Sequence, residues 1–372
     1  MRSWIRVAAA VVLASAPVSL GAQPRPQEPG PDVPYRVEPV VVEVVEEGGS
    51  HTLAGTITLP DPAKWGDGPY PGAVLITGSG PQNRDSEMLG HKPFLVLADR
   101  LTRAGIAVLR YDDRGVGEST GDFGGGGIAG FVRDAAAAAT ALRAHPAVDP
   151  ARVGLIGHSE GGTVGPKVAG EQPETAFVVL LAAMGISGTD TLIFQSETAY
   201  RQVGRDPAWL EANSRVRRAV FGALRDGADE EAMRPLVRAW VEQEMDYLAD
   251  EAGRERAVAT LMNQFVTPWF RQFVSVDPPA DLRRVSAPVL ALCGTLDMQV
   301  PADLNLPAIE KALAEGPCPS ATIVRLPGLN HLFQPAKTGL MGEYGAIEIT
   351  FDEATMGLVA GWIRGVVAGR GE

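Results

Sequence analysis

Short apolar runs without polar alternation constrain this chain more than any other feature. They occur at residues 73–76, 106–111, 153–156, 177–181 and 289–292, and a strand reads this way when both its faces are buried. Helix-length stretches at 91–104, 128–145 and 161–170 lie between them. Such alternation predicts an α/β protein with a mostly parallel, doubly wound sheet and right-handed crossovers. A strand at 322–326 and a helix from 351 to 367 close the pattern. Ahead of it, runs at 40–45 and 53–59 flank Glu46-Glu47-Gly48-Gly49-Ser50, which predicts an antiparallel hairpin.

The alternation stops between residues 185 and 284, where apolar positions recur every three to four residues at Met233, Leu236, Val237, Trp240, Val241, Met245 and Leu248. That block reads as a helical cap insertion, dividing the core into residues 38–184 and 285–372. Residues 23–37 are Pro-rich and polar, the composition of a linker. Residues 1–22 carry Arg2 and Arg6, an apolar run from 7 to 20, and small residues at Ser19, Gly21 and Ala22. This is the pattern of a signal peptide cleaved near Ala22, giving a secreted or periplasmic protein with no membrane span; a retained anchor is the competing reading.

A formal charge of −12 with 33 Lys and Arg and no dense basic run leaves no footprint for nucleic acid or an anionic membrane. Two cysteines do not make a disulfide scaffold. Cys293 ends one strand and Cys318 precedes the next parallel one, so they sit at opposite edges of the sheet, about 16 Å apart. That is beyond disulfide reach and predicts two free thiols. The five histidines are dispersed, and neither C-x-x-C nor H-E-x-x-H occurs, so no metal or cofactor is implied.

Two strings match G-x-S-x-G. Gly117-Glu118-Ser119-Thr120-Gly121 runs into a glycine-rich loop, whereas Gly157-His158-Ser159-Glu160-Gly161 follows a strand directly and opens a helix. A strained strand-to-helix turn lifts the serine hydroxyl above the sheet, and flanking glycines give it room. Ser159 is therefore the candidate nucleophile, and Ser119 a loop residue.

With TGSGPQNRD, RYDDRGVGES, GHSEGG, GTLDMQVP and GLNHLF, the chain resembles the α/β-hydrolase superfamily over residues 38–368. More narrowly, it is similar to exported bacterial esterase-like serine hydrolases whose nucleophile turn reads G-H-S-E-G-G. The resemblance implies a triad ordered Ser, acid, His. Of the histidines only His331 lies far downstream of Ser159, in the loop after the last strand, where it would act as general base and acid. Asp297 follows the preceding strand and would orient it, with Asp303 as the rival. The oxyanion hole would take the N–H of Glu160 and, from the loop of residues 77–81, that of Ser79. Asn83, Arg84, Asp85 and the Asp113-Arg114-Gly115 turn read as braces, and His91 as packing at a helix start.

Trp269, Phe270 and Phe273 fit two roles, the wall of an acyl pocket or an adhesive between cap and core. The implied reaction is cleavage of a small ester through an acyl-enzyme on Ser159. An aminopeptidase-like or acyl-peptide amide hydrolase shares the same triad, and a thioesterase or a catalytically silent binding module stands further off. Oligomeric state is not legible.

Overall fold

A computed structural model describes residues 25–248 and 250–369; the expected signal segment lies outside them. The elements begin with β1 (Arg36–Glu46), β2 (Gly49–Leu59), α1 (Pro62–Trp65), β3 (Tyr70–Ile76), α2 (Pro93–Arg103), β4 (Ala107–Tyr111) and α3 (Phe123–Arg143). β5 (Val148–His158), α4 (Gly161–Glu171), β6 (Val178–Leu181) and five helices follow: α5 (Gly188–Gln202), α6 (Pro207–Arg225), α7 (Glu230–Glu244), α8 (Glu251–Phe265) and α9 (Pro268–Ser275). The chain ends with α10 (Pro278–Leu282), β7 (Val289–Gly294), α11 (Ala302–Ala314), β8 (Ala321–Leu326), α12 (Met341–Tyr344) and α13 (Glu353–Ala368). Two compact units result, one of Gly124–Ala129 with Ile186–Asp277, the other holding the rest of the described chain.

In the larger unit eight strands form one sheet in the order β1-β2-β4-β3-β5-β6-β7-β8. β1 and β2 are antiparallel and β2 joins β4 antiparallel, while every later pairing is parallel. All the apolar runs expected as strands are strands. Leu75, Val108, Ile156, Val179, Leu181 and Leu292 are almost wholly buried, each contributing about 1.5–3 kcal/mol of hydrophobic stabilisation. The hairpin turn is tighter than its five-residue signal, because Gly48 adopts φ 98° and lets Glu47-Gly48 alone connect the strands.

The N-terminal stretch is fastened to this unit. Arg25 donates from its guanidinium to the carbonyls of Gly90, Gly345 and Ile347. The Gln27 side chain accepts from the N–H groups of Thr350 and Phe351 and donates to the Phe351 carbonyl. The Pro-rich composition of residues 23–37 predicts a linker, yet bonds to distant backbone hold Arg25 and Gln27, Glu28 pairs with Lys92, and β1 takes up Arg36 and Val37.

The smaller unit packs its own core. Phe221, Trp240, Phe265 and Phe270 contact one another at ring separations of 4.8 to 5.8 Å. Asp206, Asp229 and Asp250 cap α6, α7 and α8 by accepting from Trp209, Ala232 and Gly253 N–H, which satisfies donors that a helix start leaves open. Asp229, which lies in an acidic run over residues 226–231, thus serves as a helix cap. Arg217 and Glu244 form a buried ion pair at 2.6 Å, and Trp240 Nε1–H donates to the same carboxylate at 2.6 Å.

Candidate active site

β5 runs into Ser159, whose φ of 55° lies in the left-handed region, a conformation that costs a non-glycine residue about 1–2 kcal/mol. Its N–H donates to Leu181 O at the end of β6, at 2.8 Å, and α4 begins two residues later. Neighbouring glycines are required by contact. A Cβ on Gly157 would collide with Gly161 O, one on Gly161 with Ile76 O, and one on Gly162 with the Ala183 side chain. Strand, strained turn and helix are therefore pressed together around Ser159. Ser119 differs: its Oγ donates to Asp112 O and accepts from Ala54 N–H, the bonding of a loop brace.

His331 Nδ1 lies 2.7 Å from Asp297 Oδ2. Asp297 Oδ1 also accepts from Gln299 N–H at 2.9 Å and Val300 N–H at 2.8 Å, so the side chain faces three donors, an arrangement suited to a carboxylate. Nδ1 therefore donates, leaving the Nε2 lone pair open. Both residues are buried, at 3% and 4% exposure. Their loops are joined by the bond from Leu296 N–H to Leu329 O, and Asn330 Oδ1 accepts from the N–H groups of Leu332 and Gln334. His158, next to Ser159, touches His331 with ring centroids 4.8 Å apart. Asp303 is far more exposed and pairs with Arg325. Cys293 and Cys318 are both free, and burial pushes the Cys293 thiol up, so it stays protonated beside Asp297.

The loop after β3 reaches the same place. A Cβ on Gly78 would stand 3.3 Å from Ser159 Cβ, whereas Ser79 is exposed. Asp113 holds both ends of this loop. Thr77 Oγ1 and Gln82 N–H donate to its two oxygens at 2.7 and 2.9 Å, and Asp113 N–H donates back to Gln82 O at 3.1 Å. Arg84 and Asp85 are braces, pairing with Asp112 and Arg110, and Asn83 accepts from Asp85 and Glu87 N–H. Arg114 pairs with Asp134 and Glu46. His91 is fully buried between Thr350 Oγ1 and Tyr344 O. Phe270 and Phe273, at 3% and 5% exposure, belong to the interior of the smaller unit, with Trp269 partly exposed against them.

Burial pushes the Asp113 carboxyl up to about 8 and the His158 imidazole down to about 4. Asp113 thus contributes stability that is complete below its ordinary value of 3.8 and lost as pH rises through 8. His158 runs the other way: its contribution is complete above 6.5 and lost as pH falls through 4. Of the two, Asp113 alone titrates between pH 6.5 and 8. Across that window the protein should lose up to about 2 kcal/mol of unfolding free energy, and Asp113→Asn should be flatter. Urea unfolding at the two ends measures both, and a wild-type free energy that rises instead would contradict the assignment.

Comparison with known proteins adds four findings. A family model described as serine aminopeptidase, S33, matches residues 92–334. Esterase EstD of Thermotoga maritima is 35% identical over 130 residues, which is 35% of this chain and only 30% of that relative's length. Among solved structures, DcsB in complex with its substrate analogue matches with a TM-score of 0.51 at 19% identity, over 89% of this chain and 100% of that one. A hypothetical protein from Pseudomonas aeruginosa matches at 0.50 and 16% identity, over 90% and 94%. At such identities the two structures speak for the fold alone.

Proposed function

The chain belongs to the serine aminopeptidase S33 family and has the α/β-hydrolase fold, and from that premise we propose that it cleaves carboxylic esters through an acyl-enzyme on Ser159. The observation that carries the reading is the Asp297–His331 pair at 2.7 Å, beside an elbow whose serine has φ 55°. In the reaction His331 Nε2 removes the Ser159 proton as Oγ attacks the acyl carbon. The tetrahedral oxyanion is received by backbone N–H groups of Glu160 and of the loop at residues 77–81, close to the start of α4. Collapse passes the proton from His331 to the leaving alkoxide. Water then attacks the acyl carbon as His331 takes its proton, and collapse passes that proton from His331 to Ser159 Oγ, freeing the acid. Asp297 keeps Nδ1 protonated and balances the imidazolium formed in each half.

The family's description supports a second reading, in which the same residues cleave amides with a free amino terminus. Triad geometry alone does not separate the two. The helical unit, inserted in the chain between β6 and β7, is the element we assign to substrate selection, since insertions at loops carry specificity in such folds. A panel of p-nitrophenyl acyl esters beside aminoacyl p-nitroanilides separates the readings. We expect turnover of the esters with a preference for one chain length; turnover of the anilides alone would replace ester cleavage with the peptidase reading.

A further inference from the structure

The acyl-transfer steps leave the residue before the nucleophile without a role. His158 is buried, and its Nε2 lies 2.9 Å from the carbonyl oxygen of His331. A carbonyl only accepts, so the ring carries its proton on Nε2 and donates it. Its plane is tilted 50° against the His331 ring, and the edge contact with Phe333, at 6.4 Å between centroids, backs it. On the other side, His158 Nδ1 is 3.4 Å from where a Cβ on Gly78 would stand. One side chain thus belongs to the nucleophile turn, bonds the loop of the general base and lies beside the loop after β3.

We propose that His158 is a positioning residue, whose Nε2–H holds the His331 carbonyl and so fixes the general base against Ser159; the inference rests on the hydrolysis proposed above. The bond from Nδ1 to Asp297 holds the imidazole at one end, and the turn bonds around Asn330 hold the neighbouring residues 329, 330, 332, 333 and 334, so the bond to His158 is the one that grips the His331 carbonyl itself. Because His158 adjoins Ser159 in the chain, its bond to the His331 carbonyl ties that backbone to the nucleophile's own. Neutrality suits this role. Burial keeps His158 uncharged at neutral pH, whereas a charged ring 4.8 Å away would oppose the imidazolium that forms on His331. The residue needed here is a buried, uncharged donor of ring length.

The test compares His158→Phe, which keeps a ring and loses the donor, with His158→Gln, which keeps a donor, using p-nitrophenyl acetate as probe and Ser159→Ala as control. The expected result is a kcat about 10- to 100-fold lower for the Phe variant with KM within about threefold, since small misplacements of a reacting group act at this scale. The Gln variant should recover most of the loss, with both melting near wild type. A Phe variant at wild-type kcat, or a Gln variant no better than Phe, would overturn the proposal. Should either variant fail to fold, the ring ¹⁵N shifts of wild-type His158 at neutral pH decide: a proton on Nε2 supports the bond, a proton on Nδ1 refutes it. Turnover retained by Ser159→Ala would instead strike at the hydrolysis itself, and the ¹⁵N measurement would still read the bond.

Discussion

Ser159→Ala is expected to lower ester kcat by about 10⁵-fold or more while leaving the melting temperature near that of wild type, in line with what removal of the nucleophile costs a serine triad. The two halves of this expectation come from different parts of the structure. Activity depends on Oγ, which alanine lacks. Stability at this position depends on the Ser159 N–H donating to Leu181 O and on the glycines packed around the turn, and both are backbone features that alanine preserves. Alanine must still adopt φ 55°, a strain serine already bears. Kinetics with a p-nitrophenyl ester and a thermal melt on the same preparation check both halves, and a variant that retains turnover would remove Ser159 from the mechanism.

Asp297→Asn is expected to lower kcat by about 10⁴-fold, with KM changed far less. The asparagine Oδ1 can still accept from Gln299 and Val300 N–H, so the turn should survive. Its Nδ2 would face His331 Nδ1, however, and two donors cannot share that position. The imidazole would move its proton to Nε2, the atom that must take the serine proton, and would gain no carboxylate to balance its charge. Steady-state kinetics at neutral pH tests this. A loss of only a few-fold would mean that another carboxylate orients His331.

Much of the fold was legible because burial on both faces leaves a mark in sequence. The runs at β3, β4, β5, β6 and β7 lack alternation, and each is a strand. Ser159, Asp297 and His331 could be singled out because the strand-to-helix context separates Ser159 from Ser119 and only one histidine lies far downstream. What escaped the sequence depends on distance between remote residues. Nothing in the composition of Asp113-Arg114-Gly115 says that Asp113 spans both ends of the loop from Thr77 to Gln82. Nor does the Pro-rich N-terminus announce that Arg25 binds carbonyls some 320 residues away. Aromatic residues at helical spacing left Phe270 between a pocket wall and a packing role, and only its contacts with Phe221 and Phe265 place it in a core. The oxyanion loop shows the same limit, since the close approach of Gly78 to Ser159 is a distance that the string Thr77-Gly78-Ser79 does not carry.

The central claim, that Ser159 is activated by His331 for attack on an acyl carbon, is tested most directly by covalent capture. Incubating the protein with a fluorophosphonate probe and mapping the adduct by mass spectrometry should give one adduct per chain, on the peptide bearing Ser159, with none on Ser159→Ala and much slower labelling of Asp297→Asn. An unlabelled wild-type protein, or an adduct on Ser119, would contradict it.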